Sequence, residues 1–290
     1  MKKLFDSAGK YLSLVRFSHT VFAMPFALVG YFLGATNPGL GFSLRTFLLM
    51  LACMVFARSA AMAFNRYADV RFDSLNPRTA GREIPSGKIS QRNALAFVIA
   101  SSLLFMAAAA FLNRLTLILS PLALIIILGY SYTKRFTPLC HLVLGLGLSL
   151  APIGAYIAVT GTFALLPLIY SFIVLTWVSG FDIIYALQDD QFDRDAGLYS
   201  IPAVMSRKEA LAVSVALHAV SFMLVSAAGI IGQSGLIYWA GALIFTGMLT
   251  YQHMIVKPDD LSRVNMAFGT TNGVAGVIFG LAVILDILLF

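Results

Sequence analysis

LRTFLLMLACMVFARSAAMAFNRYADVRFD, residues 44–73, is the stretch that decides the architecture. From Leu44 to Phe64 its only charged residues are Arg45, at the edge, and Arg58. A helix of that length crosses the ~30 Å hydrocarbon layer of a bilayer. The apolar run then leads directly into Asn65, Asp69 and Asp73. Steps of four residues advance about 400° around a helix and ~6 Å along it, so these three oxygen-bearing side chains form one stripe where a membrane span emerges.

The remainder of the chain has the same character. Of its 290 residues 59% are hydrophobic and 11% charged, against roughly 25% charged in a soluble domain. Apolar runs long enough to span recur at 17–36, 44–66, 92–112, 115–133, 139–160, 163–188, 209–231, 234–254 and 266–289. Inside lipid the backbone must satisfy its own polar groups, which leaves helices. The expectation is an all-α, polytopic membrane protein forming one domain over 1–290. Met1–Lys10 carries early lysines, but no small-residue cleavage site follows a short apolar core, so the first span is read as retained. Cys53 and Cys140 fall in or beside spans without metal-ligand spacing and read as packing residues.

The bases set an orientation. Seventeen of the 20 Lys and Arg residues fall before span one or in the connectors after spans two, four, six and eight. Arg45 and Arg114 lie on the other face, and Arg58 is inside span two. Positive-inside bias makes the rich face cytoplasmic, with the N-terminus inside and the C-terminus outside, in the cell inner membrane. The net charge of +7 is thus mostly a topology signal. Spread over several connectors, without a stripe or interleaved aromatics, it does not describe a nucleic-acid surface.

Eight of the 13 acids fall in two windows, 65–88 and 182–208, each beginning at the end of an even-numbered span. Asn65, Asp69 and Asp73 make the first stripe, Asp189 and Asp193 the second, with Asp182 on roughly the same face as Asp189. Two facing carboxylate stripes need cations. Mg²⁺ takes oxygen ligands and is typically held by a few carboxylates together with phosphate oxygens and water. Such an arrangement clamps a diphosphate, with Arg66, Arg78, Arg82, Lys88, Lys134 and Arg135 as candidates to neutralise its remaining charge. After each stripe come an Ile-Pro pair (Ile84-Pro85, Ile201-Pro202) and bases, a weak internal repeat.

Three motifs carry a family resemblance. Asn65-x₃-Asp69-x₃-Asp73 followed by Arg78-Thr-Ala-Gly-Arg82 and Ile84-Pro-Ser-Gly87, Tyr185-Ala-Leu-Gln-Asp189-x₃-Asp193, and Tyr130-x₃-Lys134-Arg135 resemble the signatures of the UbiA superfamily of intramembrane prenyltransferases. The resemblance implies nine helices in a ring around a central cavity, with a cytoplasmic cap from the two motif loops. It implies that Asn65, Asp69, Asp73, Asp189 and Asp193 hold Mg²⁺ and an isoprenoid diphosphate, and that Arg82, Lys134 and Arg78 contact phosphate. The prenyl tail would lie in the apolar cavity, reached sideways from the bilayer. The acceptor would be a small aromatic compound, 4-hydroxybenzoate or a naphthoquinone-type carboxylate, on a ubiquinone or menaquinone route. The start of span one, Arg16-Phe-Ser-His19-Thr-Val-Phe-Ala-Met24-Pro25-Phe26, departs from the Asp-Lys-Pro stretch typical of the ubiquinone enzymes. It looks more like relatives in menaquinone-making bacteria and archaea.

Other residues have narrower readings. Arg58 lies seven residues before Asn65, on nearly the same face and about 10 Å deeper. An intramembrane cation there should face the bundle interior, to read an acceptor carboxylate or to pair with a second-motif acid. Asp182 or Asp189 is positioned to orient or deprotonate an acceptor hydroxyl. His19 is a candidate for the acceptor side, and His218 reads as a hydrogen-bonded packing residue. A secondary transporter would carry its ionisable residues near the midplane, whereas these acids sit at span ends. The Asp-Gly-x₂-Ala-Arg element of CDP-alcohol phosphotransferases is missing. Prenyltransferases of the same fold with haem-, chlorophyll- or lipid-type acceptors differ only in the acceptor site.

Overall fold

The computed structural model describes residues 22–290 and, before them, Gly9, Tyr11, Ser13 and Leu14. Arg16 and His19 lie outside the described residues. The long helices are α1 (Met24–Ala35), α2 (Leu44–Ala68), α4 (Gln91–Ala110), α5 (Arg114–Thr133), α6 (Cys140–Thr160), α7 (Leu165–Ala186), α10 (Arg207–Ile231), α11 (Leu236–Ile255) and α12 (Asn272–Leu289). Short helices fill the connectors: α3 (Val70–Leu75), a 3₁₀ turn (Leu187–Asp189), α8 (Asp190–Asp195) and α9 (Ile201–Val204). A π-helical turn, Met266–Thr271, leads into α12.

Local chemistry starts these helices where the sequence supplies caps. The Ser43, Ser90 and Asn113 side chains accept from Thr46, Asn93 and Thr116 N–H, and Ser206 with Glu209 forms a capping box on α10. α11 has no side-chain cap of its own. Asp286 of α12, an acid inside a span, supplies it by accepting Gly235 N–H at 2.8 Å and Tyr238 N–H at 3.1 Å.

Seven helical runs among the described residues are long and apolar enough to cross a membrane. Two of the nine expected spans fall short of that standard. Of 17–36, the described helix is α1, 12 residues long. The eighth is 20 residues long in α11 but carries Tyr238, Trp239, Thr246, Thr250, Tyr251, Gln252 and His253. Part of that polarity is used internally. Gln252 accepts from Asn272, which accepts from Trp177 Nε1 at 2.8 Å. His253 meets His218 at 2.8 Å, and the other ring nitrogen of His218 meets Trp177 O. His218 is thus a buried, hydrogen-bonded packing residue.

α6 and α7 pack together and form the spine, with α1 and α5 also against α6, α10 against α7, and α12 against α11 and α1. α2, α4 and α5 make a second group joined to the spine through α6. Small residues let backbones approach. A Cβ on Gly30 would sit 2.0 Å from Pro152 O, and one on Gly145 would sit 2.5 Å from Leu175 O, so α1–α6 and α6–α7 cross in direct contact. Trp177, Phe26, Phe245 and Phe279 fill the core of the spine, while Leu103, Ile125, Phe222 and Leu243 point outward, as an integral membrane protein requires.

One end of the bundle gathers the motif connectors. Arg135 donates to Ala68 O, Tyr199 N–H to Lys134 O, Arg207 to Pro258 O, and Arg78 pairs with Asp189. Contacts at the opposite end include Arg45 to Phe111 O and Asn113 to Ile157 O.

Candidate active site

The first acid stripe survives the end of its helix. Asp69 caps α2, yet Asp69 N–H donates to Asn65 O at 3.0 Å and Asp73 N–H to Asp69 O at 2.8 Å. The four-residue spacing therefore continues through the junction with α3. Asn65 also donates to Asp69 Oδ2 at 3.2 Å. The second set is less regular: Asp182 is on α7, Asp189 ends the 3₁₀ turn and Asp193 is on α8. All six side chains line one polar cavity of about 270 Å³, with Arg58, Arg66, Arg78, Arg82, Tyr130, Lys134, His141 and Tyr185.

Each acid has a basic or hydrogen-bonding partner. Lys134 Nζ and an Arg135 nitrogen each stand 3.5 Å from Asp69. Burial holds the Asp69 carboxyl above the usual aspartate range, opposed by Lys134. Arg82 meets Asp73 at 2.6 Å. Arg78 grips Asp189 with two nitrogens, one at 2.9 Å, while its third donates to Tyr185 O–H at 2.9 Å. Although burial opposes it, the Asp189 bond holds the Arg78 pKa above the ordinary arginine value. Asn76 adds a bond to Asp189 at 3.0 Å, so segments 69–90 and 187–204 are tied side chain to side chain. Asp193 accepts from Ser200 at 2.9 Å.

Asp182 meets His141 Nδ1 at 2.7 Å, and His141 Nε2 accepts Ile201 N–H at 3.3 Å. Of the remaining second-window acids, Asp190 is bound by Arg207 and Arg194, and Asp195 by Gln191; neither lines the cavity. Two expected phosphate contacts also lie elsewhere. Lys88 is exposed. Arg135 stacks on Phe72 and Tyr132 and braces the end of α2 instead of lining the cavity. His141 was not anticipated, because its partners are 41 and 60 residues away.

The donor set suits a hard cation. Asp69 Oδ1 and Asp73 Oδ2 are buried and accept no hydrogen bond. No three acid, histidine or cysteine side chains among the described residues gather closely enough to hold a metal alone. Mg²⁺ does not require that, since it usually takes one or two carboxylates and completes its shell with substrate phosphate and water.

A second cavity of about 380 Å³ adjoins the first and is almost wholly apolar. Met50, Cys53 and Met54 of α2, Phe105 of α4, and residues of α5 and α6 line it. Arg58, Met62, Tyr130, Leu144 and Leu148 line both cavities and form a collar between them. The Arg58 Nε is buried without a hydrogen-bond partner, and no described carboxylate lies within ion-pair distance of this residue. The expected alternative, a pair with a second-motif acid, is therefore not formed.

Known proteins resemble this chain in sequence and in fold. Over 246 residues the chain is 30% identical to the 4-hydroxybenzoate octaprenyltransferase of Aeromonas salmonicida (strain A449), covering 85% of this chain and 84% of that one. It is 32% identical over 230 residues to the enzyme of the same name from Aliivibrio fischeri (strain MJ11), covering 78% of each. The apo structure of a UbiA homologue from Aeropyrum pernix K1 superposes with a TM-score of 0.83 at 38% identity, over 92% of this chain and 98% of that one. A UbiA homologue from Archaeoglobus fulgidus, bound to DMAPP and Mg²⁺, shares the fold with a TM-score of 0.74 at 22% identity, covering 97% and 100%. The profile of the UbiA prenyltransferase family matches residues 23–279, and the chain belongs to that family.

Proposed function

We propose that the protein transfers a prenyl chain from an isoprenoid diphosphate to the ring of a small aromatic acid, 4-hydroxybenzoate or a naphthoquinone-type carboxylate, in quinone biosynthesis. The observation that carries this reading is the collar. It joins a cavity rich in carboxylates and guanidinium groups to one that is apolar, and it presents an unpaired arginine between them. A diphosphate suits the first chamber, an isoprenoid tail the second, and a carboxylate-bearing ring the junction.

Mg²⁺ would be held by Asp69 and Asp73 with Asn65, and by Asp189 and Asp193 across the cavity; when bound, it neutralises the diphosphate and so favours its departure. Arg82, Arg78 and Lys134 add charge that stabilises the leaving oxygens. The apolar walls of the second chamber disfavour water at the allylic carbon. The acceptor ring attacks that carbon as its bond to the diphosphate breaks. Asp182 suits the role of proton acceptor better than Asp189, since Asp189 is already held by the Arg78 fork.

The surrounding architecture is read as one domain of nine helices in a ring, α1 and α11 included, capped by the two motif segments. It sits in the inner membrane with the N-terminus and cap cytoplasmic and the C-terminus outside. The meeting of the basic connectors at one end supports this orientation.

The test is a purified-protein assay with geranyl diphosphate, 4-hydroxybenzoate and Mg²⁺, following product mass. Formation of the ring-prenylated acid, abolished by chelation and restored by Mg²⁺, is expected. Turnover that survives thorough chelation, or only hydrolysis of the diphosphate, would reject the reading.

A further inference from the structure

His141 lies in the first turn of α6, is buried, and joins two parts of the site that its own helix does not carry. Its ring has one nitrogen on each. The Ile201 backbone N–H can only donate, so Nε2 accepts and bears no proton. The proton then belongs to Nδ1, which donates to Asp182 Oδ2 at 2.7 Å. The tautomer is fixed by the cap segment on one side and used on the other. Asp182 makes no other side-chain hydrogen bond among the described residues, and its side chain is partly open to the polar cavity. The charged and titratable groups that share this cavity with it include Arg58 of α2, Asp69 at the end of that helix, Tyr130 of α5, Lys134 just after it, Tyr185 of α7 and Asp189 of the following 3₁₀ turn.

We propose that His141 is a positioning residue for the transfer reaction, fixing the rotamer of Asp182 so that its free oxygen is the proton acceptor aimed at the ring. This rests on the reading of Asp182 given above. The ring-carbon to allyl-carbon bond forms as the allyl-carbon to oxygen bond breaks and the electron pair leaves with diphosphate. The electrons of the C–H bond at the attacked carbon return to the ring. The proton goes to Asp182 Oδ1 and from there to water. The hydrogen bond from Nδ1 to Oδ2 holds the carboxylate in the plane that leaves Oδ1 free. The Ile201 contact is the second half of the device: it ties the ring to the segment in which Ser200 holds Asp193.

Two substitutions separate the two bonds. His141→Asn places an amide nitrogen near the position of Nδ1, keeping the donor to Asp182 and losing the Ile201 tie. His141→Gln places an amide oxygen near Nε2, keeping the tie and losing the donor. Rates are measured with geranyl diphosphate and 4-hydroxybenzoate across the pH range in which each variant stays folded, judged by thermal melting in detergent. H141Q is expected to lose roughly ten- to a hundredfold in kcat, with the acidic limb of its pH profile moved up by about one to two pH units. H141N is expected to keep most of kcat and to show its defect in donor KM. Equal losses of kcat in the two variants, or a wild-type rate and pH profile in folded H141Q, overturn the proposal. Where H141Q does not fold, H141A is assayed with added imidazole; recovery of kcat is expected, and no recovery overturns the proposal. Asp182→Asn is the separate arm. A wild-type kcat in D182N removes the proton-acceptor reading itself, whereas loss in D182N with none in H141Q removes only the role of His141.

Discussion

Arg58→Leu isolates the acceptor from the donor. The guanidinium lies about 10 Å deeper than Asn65 along α2, in the collar between the two cavities, with its Nε buried and unpartnered. A buried cation without a counterion costs stability, and a site that tolerates one is preorganised for an anion. A charge-assisted hydrogen bond from it to a carboxylate is worth about 1.5–3 kcal/mol, or roughly a ten- to hundredfold change in affinity. Acceptor KM in R58L should therefore rise by that factor at saturating donor, while donor KM at saturating acceptor stays close to wild type. Removing an unpaired charge should also leave the melting temperature in detergent unchanged or raised. Arg58→Lys should recover part of the loss, because it returns the charge without the planar fork. The decisive comparison repeats the assay with a phenol lacking the carboxylate. The penalty of R58L should vanish for that acceptor. Equal rises in both KM values, or a penalty as large for the phenol as for the acid, would refute the assignment.

Other outcomes follow from the same geometry. A cysteine at Ser74 or Tyr199 should be labelled by a membrane-impermeant maleimide only from the cytoplasmic side; labelling in sealed cells from outside would reverse the orientation. Asp69→Asn and Asp193→Asn should each lower turnover by orders of magnitude in a folded protein, and a folded double variant with near-normal rate would dissolve the clamp. Asp286→Ala removes two bonds from the head of α11 and should destabilise by about 2–4 kcal/mol, read as a lower melting temperature; wild-type melting would show the cap to be idle. Gly154 lines the apolar cavity with nothing within 4 Å of an added Cβ. Gly154→Phe should therefore shift preference from geranyl toward dimethylallyl diphosphate by about tenfold or more, and an unchanged ratio would move the tail elsewhere.

The parts of this molecule that were legible in the sequence are those encoded locally. The spacing of Asn65, Asp69 and Asp73 survives because backbone bonds of the same four-residue step cross the helix junction. The apolar runs gave the spans for the same reason, since lipid selects on composition over 20-residue windows. Where polarity is spent on internal bonds, as by Gln252 and His253 in α11, the window reading weakens. The site was legible as a set of residues but not as a set of pairs. Nothing near Arg78 indicates that its fork closes on Asp189, 111 residues on, or that Arg135 reaches the Ala68 carbonyl at the end of α2. His141 was invisible because a lone histidine at a helix start has no periodicity to betray it.

The π-helical turn at Met266–Thr271 has a consequence for how this site can change. A π turn is an α-helix holding one residue too many. Here Thr271 and Asn272 side chains take up the Met266 and Ala267 carbonyls that the wide turn leaves over. The surplus presents Phe268 to the polar cavity, 4.1 Å from the Tyr185 ring, while Asn272 stays locked to Trp177 and Gln252 below it. Deleting one residue from this turn would rotate its upstream end by about 100° relative to α12 and take Phe268 off the wall, leaving the helix beneath in register. A single codon lost or gained there would reshape the wall of the polar cavity beside Tyr185 while α12 keeps its packing.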